Sequence, residues 1–163
     1  MSKKRATATA YLQQLIGVWR GVGEGEFPGI NNFRYRETLT FEQAADRSEI
    51  LYRQNAILID EAGADIKPSH LECGILEIEE DGGIVLHNAQ NGRVEIMRGS
   101  FIEKPTYLEL KLEATAFAGD PRMHCSARSF QINGNRLHYD MSMQTSSTDA
   151  SLPHLRADLE KER

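Results

Sequence analysis

Apolar and polar residues alternate one for one along most of the chain, the signature of strands with one face buried and the other in water. Tyr107 to Ala116 shows it most cleanly. Leu108, Leu110, Leu112 and Ala114 fall on one face, and Glu109, Lys111 and Glu113 on the other. Phe33 to Glu42 sets Phe33, Tyr35, Leu39 and Phe41 against Arg34, Arg36, Thr38 and Thr40. Arg136 to Gln144 sets Leu137, Tyr139, Met141 and Met143 against Arg136, His138, Asp140 and Ser142. Turn signals punctuate these stretches at short intervals, among them Phe27-Pro28-Gly29, Asp81-Gly82-Gly83, Asn91-Gly92 and Asn133-Gly134-Asn135. The pattern predicts an all-β protein of about ten antiparallel strands joined by short hairpins, closed into an up-and-down barrel. Only Thr7 to Ile16 reads as a helix, a short cap for one end of the sheet system. A barrel of about ten strands is wide enough to hold a small ligand.

Composition narrows the class. The 163 residues suit a single domain spanning 1–163, with an ordered core running from about residue 11 to residue 160. A 40% apolar and 26% charged chain is globular rather than disordered. The 24 acidic residues against 19 basic ones give a net charge of −5, which argues against a nucleic-acid partner. No apolar run approaches the roughly 18 residues that a membrane helix needs, so no membrane partner is expected. The basic start Met1-Ser2-Lys3-Lys4-Arg5 is followed by residues too polar for a signal peptide, and the expected location is the cytoplasm. Two cysteines, Cys73 and Cys125, supply neither a disulfide framework nor a four-cysteine zinc site.

Several constellations carry candidate chemistry. Gly21, Gly23 and Gly25 share one strand face with Trp19 and Phe27, which means sharp curvature or the close approach of a backbone or ligand. His70 and Glu72 share a face with Gly74 and Leu76. They match the His-x-Glu of zinc deaminases, but no Pro-Cys-x-x-Cys follows. An interior His70–Glu72 pair must be hydrogen-bonded, whether as a structural element or as pocket lining. Glu37 is the odd member of the Phe33–Phe41 face, and Arg128 shares its face with Phe130 and Ile132. Each would be costly to bury alone, so a mutual Glu37–Arg128 ion pair is expected. Of the five histidines, His138 falls on the water-facing side with Arg136 and Asp140, while His154 follows Pro153 beside a polar loop. Strict alternation puts His154 opposite Leu155, Ala157 and Leu159, so an inward His154 requires a bulge near Pro153. Leu152, Leu155 and Leu159 also fit a helix.

The run Gly17-Val18-Trp19-Arg20-Gly21-Val22-Gly23-Glu24-Gly25-Glu26-Phe27-Pro28 resembles the Gly-x-Trp-x-Gly-x-Gly signature of the nitrobindins. The similarity continues through Phe33-Arg34-Tyr35, His70-x-Glu72-x-Gly74, Val94-Glu95, Gly99, Arg128 and Met143, and closes with Pro153-His154-Leu155-x-Ala157-x-Leu159. The resemblance implies a ten-stranded barrel similar to lipocalins and fatty-acid-binding proteins, holding haem b with its iron on His154. It implies binding of nitric oxide and isomerisation of peroxynitrite to nitrate. His70 and Gln90 would line the cavity, with His70 off the iron, and Met143 would lie near the haem. The chain departs from the family pattern at Gly29, where many members have a haem-contacting threonine, and at Ser69, where plant-type members have methionine. The loop before His154 is also one residue longer. The rival expectation is a non-enzymatic carrier of a small hydrophobic ligand, with or without haem, in which Arg128 or Tyr139 anchors a carboxylate. An empty barrel that has lost its cofactor is a third, and homodimerisation stays open.

Overall fold

The computed structural model describes residues 2–162. A helix, α1 (Lys3–Leu15), precedes ten strands: β1 (Gly17–Gly25), β2 (Phe33–Gln43), β3 (Ile50–Ile59), β4 (Asp65–Ile78), β5 (Ile84–Gln90), β6 (Arg93–Glu103), β7 (Leu108–Ala118), β8 (Met123–Asn133), β9 (Arg136–Thr145) and β10 (Leu152–Lys161). Each strand pairs antiparallel with the next, and β1 closes on β10, so the wall is a complete barrel and the edge-strand problem does not arise. The alternation read from the sequence is the inside–outside alternation of this wall. Leu108, Leu110 and Leu112 are buried on β7, for example, while Lys111 and Glu113 are exposed.

The helix starts at Lys3, earlier than the expected Thr7, because Ser2 caps it: the Ser2 hydroxyl accepts from the Arg5 amide at 3.1 Å. Ala8, Leu12 and Leu15 are buried and plug one end of the barrel. Trp19 fixes the plug by donating its indole N–H to the Leu15 carbonyl at 2.7 Å, satisfying one of the acceptors left over at a helix end. Above the plug lies an aromatic layer. Phe130 packs on Tyr139, Phe41 and Tyr52 with ring centroids 5.2, 5.9 and 6.5 Å away. Leu39, Ile50, Leu76, Ile84, Leu86 and Leu110 complete this half, each essentially without solvent exposure.

The glycine row on β1 is explained by close approach. A Cβ on Gly21 would fall 1.9 Å from the Asp158 carbonyl oxygen of β10. At Gly23 it would meet the Tyr35 ring at 2.3 Å, and at Gly25 the Phe33 ring at 2.0 Å. The glycines therefore let β10 close tightly on β1 and let two β2 rings lie across β1. Overpacking of this kind typically costs about 1–3 kcal/mol. Gly21→Ala meets backbone rather than a side chain that can swing away, so its loss should reach at least that range in urea unfolding. An unfolding midpoint equal to wild type would contradict the tight β1–β10 seam.

Candidate functional site

The barrel end opposite α1 is open and holds a cavity of about 1040 Å³. Phe33, Leu58, Leu112, Met141 and Leu155 give it apolar walls, Arg128 contributes to its lining, and His154 stands in its rim. The segment carrying His154 is strand, not helix, and the β9–β10 register shifts between Pro153 and Leu155. This is the bulge that the alternation demanded. The bulged residue is His154, and the following Leu155, Ala157 and Leu159 return to the inner face. The Glu26 amide donates to the His154 carbonyl at 2.9 Å, and the imidazole Nδ1 lies 3.1 Å from the Glu26 carbonyl. A carbonyl only accepts, so Nδ1 carries the hydrogen and Nε2 is the unprotonated nitrogen of the neutral ring. Phe27 and Phe33 pack edge-on against the ring at centroid distances of 5.4 and 6.4 Å. Burial lowers the His154 pKa, with Arg93 and His70 adding to the effect against the Glu26 hydrogen bond, so the ring is neutral at physiological pH.

Of the site residues named from the resemblance, only His154 is among those lining the cavity; His70, Gln90, Met143 and Gly29 are not. His70 is half-buried on the inward register of β4, its Nε2 3.1 Å from Glu72 Oε2. Gln90 ends β5 opposite Glu72 and Arg93, and its amide nitrogen is buried without a protein partner among the described residues. Met143 of β9 is half-buried against the core, paired in register with Leu152 and Ser126. Gly29 is exposed in the β1–β2 loop. The Ile30 amide donates to the Phe27 carbonyl at 3.2 Å and Gly29 has φ +86°, which makes Phe27-Pro28-Gly29-Ile30 a turn with proline at the second position and glycine at the third. A side chain there would be strained, so glycine in place of the family's threonine comes with a turn that requires it. His138 sits apart on the outer wall, between Asp158 at 2.7 Å and Asp140 at 3.1 Å.

A polar belt crosses the barrel between the aromatic layer and the cavity, and here one expectation is overturned. Arg128 does not pair with Glu37. Its guanidinium bridges Glu72, which it grips with both terminal nitrogens, and Glu95, at 3.2 Å. Glu95 also accepts from Ser126 at 3.1 Å, and Arg93 Nε lies 2.9 Å from it, out of line for a hydrogen bond. Glu72 and Glu95 come from β4 and β6, and both are buried. Burial works against the charge of Glu72, but Arg128 and His70 outweigh it and hold the carboxyl well below the usual range. Glu37 instead accepts from the Gln54 amide through one oxygen, and its other oxygen has no partner among the described residues. Burial pushes Glu37 up to about 8, so it is protonated at neutral pH and needs no counter-ion. Both terminal nitrogens of Arg128 are engaged by Glu72 and Glu95, while its Nε and the buried Tyr139 hydroxyl have no partner among the described residues.

The sequence reading missed Glu95, Gln54 and Asn88 as members of this belt. Parity could have found Glu95, which alternates inward with Met97. The Glu26 carbonyl left no trace, because a backbone acceptor has no residue type.

The model of a family described as "THAP4-like, heme-binding beta-barrel domain" matches residues 8–161. The chain belongs to this family, the nitrobindins. An Arabidopsis thaliana relative named peroxynitrite isomerase Rv2717c is 35% identical over 153 residues, covering 93% of this chain and 87% of the relative. Peroxynitrite isomerase 1 of Mycolicibacterium paratuberculosis is 33% identical, covering 82% and 83%. The crystal structure of Rv2717c from M. tuberculosis superposes with a TM-score of 0.85 at 29% identity, covering 96% of this chain and 98% of that one. The site fits the family's haem. A tetrapyrrole asks the protein for an apolar slot and an unprotonated imidazole nitrogen, and the cavity volume lies at the upper end of the roughly 300–1,000 Å³ of cofactor pockets.

The unusual carboxyl of Glu37 gives a pH signature. Its raised pKa favours the fold while Glu37 is protonated, a contribution present below about 4.5 and lost as pH rises through about 8. Glu37→Gln removes that loss. Between these pH values, urea unfolding of the variant should gain on wild type by about 1.4 kcal/mol per pH unit. Parallel stability curves would contradict a protonated Glu37.

Proposed function

We propose that this nitrobindin binds haem b with His154 Nε2 as the protein's iron ligand, binds nitric oxide and isomerises peroxynitrite to nitrate. The observation that carries the reading is the bulged His154, whose Nδ1–H is committed to the Glu26 carbonyl on the rim of an apolar cavity. A histidine ligand ordinarily donates its other ring nitrogen to such an acceptor, which fixes the ring's tautomer and orientation. The family membership supports haem, and the names of the relatives support peroxynitrite as substrate. Bound in the cavity, ferric haem would supply Lewis-acid chemistry toward a small ligand.

The chain's own residues do the rest. Phe27 and Phe33 hold the His154 ring edge-on, and Phe33, Leu58, Leu112, Met141 and Leu155 would shield a bound haem from water. The resemblance assigns Met143, His70 and Gln90 to the surroundings of a small substrate, although none of them is among the residues that line the cavity. Gly29 contributes turn geometry rather than a side-chain contact.

Stopped-flow measurement of peroxynitrite decay and nitrate yield tests the reading. Haem-loaded protein should accelerate decay and raise the nitrate yield, while haem-free protein and His154→Ala should not. Decay indistinguishable between haem-loaded and haem-free protein would overturn the enzymatic reading and favour a carrier.

A further inference from the structure

β7 and β8 do not stay together to the end of their hairpin. They pair from Leu108 opposite Ile132 to Glu113 opposite Ala127, and there the ladder stops, although β7 runs on to Ala118 and β8 begins at Met123. The free arms are bonded on their other sides. Ala114, Ala116, Phe117 and Ala118 pair with β6, and Met123, Cys125 and Ser126 pair with β9. Each arm also carries a bulge. Thr115 is an extra residue against β6, where the register shifts between Ile96 and Met97, and His124 is an extra residue against β9, between Met123 and Cys125. A bulge bends its strand and sharpens its twist, so bulges against opposite neighbours bend the two arms apart into a fork. The tips then lean on separate supports. A Cβ on Gly119 would fall 2.4 Å from the Gly92 carbonyl oxygen of the β5–β6 turn, and the Arg122 carbonyl accepts from the Ser146 amide of the β9–β10 loop at 2.8 Å.

The base of the fork is cavity wall. Leu112 and Glu113 of β7 and Ala127 and Arg128 of β8, the last residues paired before the arms part, all line the cavity. Just inside, the Ser126 hydroxyl donates to Glu95 at 3.1 Å, so the polar belt runs behind the opening. The side chains along the β7 arm are small, with Ala114, Ala116 and Ala118 leaving the gap uncovered. Phe117 is the exception. It stands opposite the buried Glu95 in register and so shares its inner face. It is half-buried and belongs neither to an aromatic pair nor to the packed core among the described residues. Backbone bounds the opening on every side: the Glu113–Ala127 pair, the two arms and the Gly119-to-Arg122 turn. Such an opening admits a diatomic molecule and stops a tetrapyrrole.

We infer that the β7–β8 fork is a side entrance to the cavity for small uncharged molecules, with Phe117 as its gate. The inference rests on the haem reading above, in which a large ligand takes the open end and a small one needs another way in. The alanines and the Phe117 ring give the passage an apolar border, which suits an uncharged diatomic molecule better than an anion. No core contact ties the Phe117 ring down, so it is free to swing across the gap or out of it.

Two measurements test it. In haem-free protein, hydrogen exchange should find the fork-facing amides of 114–118 and 123–126 exchanging much faster than the interstrand amides of 108–113 and 127–132. Equal protection in the two sets would mean a zipped hairpin and would overturn the inference whatever the haem does. In ferrous haem-loaded protein, carbon monoxide rebinding after flash photolysis reads entry directly. Phe117→Ala should raise the bimolecular association rate several-fold and Phe117→Trp should lower it several-fold, while both take up haem at the wild-type rate. Phe117 lies outside the packed core, so neither substitution removes a contact on which the fold depends. Association rates that neither variant changes, or that move in step with haem uptake, would overturn the entrance. A wild type that takes up no haem overturns the haem reading and the entrance together, whereas protected amides overturn the entrance alone.

Discussion

The structure depends on one buried cation. Arg128 projects from β8 into the barrel and meets Glu72 of β4 and Glu95 of β6, so three strands that are not neighbours are tied through the interior. Leaving such a charge without its partner costs about 3–5 kcal/mol, which makes the bridge obligatory once Arg128 is inside. Through Glu72 the same bridge reaches His70, and through Glu95 it reaches Ser126 and Arg93. Glu37 stands outside this chain of contacts and is kept protonated by its burial.

The belt also divides the interior into two halves with different jobs. Eight strands enclose a space that side chains just fill, and ten enclose more. In the half nearest α1, four aromatic rings and the Leu12–Leu15 plug use that extra width. In the other half the side chains of the described residues line the wall without filling it, and the width becomes the cavity. A purely apolar interior could collapse or slip. The belt sets a hydrogen-bonded floor for the space above it, where Arg128 is part of the cavity lining. The tight β1–β10 seam, made possible by Gly21 and Gly23, brings Glu26 beside the bulged His154 and so sets that ring's tautomer.

Much of this was legible in the sequence. Period-two patterning located the strands, because each has one face in the core and one in water, and the turn residues fixed where they end. Alternation alone also showed that His154 could not face inward without a bulge, and Pro153, which cannot donate to a ladder, marked the place. The partner of Arg128 was not legible. Glu37, Glu72 and Glu95 all lie on inward faces, and the choice among them depends on how far each strand is staggered around a closed wall, a quantity absent from a one-dimensional pattern. The pairing of Arg128 with Glu37 was therefore a reasonable expectation with the wrong partner. The helix start was missed for a simpler reason: Ser2 is a good cap, but the basic residues after it show no apolar period. Gly29 was legible both as a turn residue and as a departure from the family pattern, and the backbone added that the turn holds it at positive φ.

The central claim is that His154 is presented to a haem iron at the open end of the barrel. A crystal structure of the protein loaded with ferric haem tests this most directly. The expected result is haem in the open end of the barrel, iron bonded to His154 Nε2, and His154 Nδ1 still on the Glu26 carbonyl. Iron bonded to His70, or haem bound outside the cavity, would contradict it.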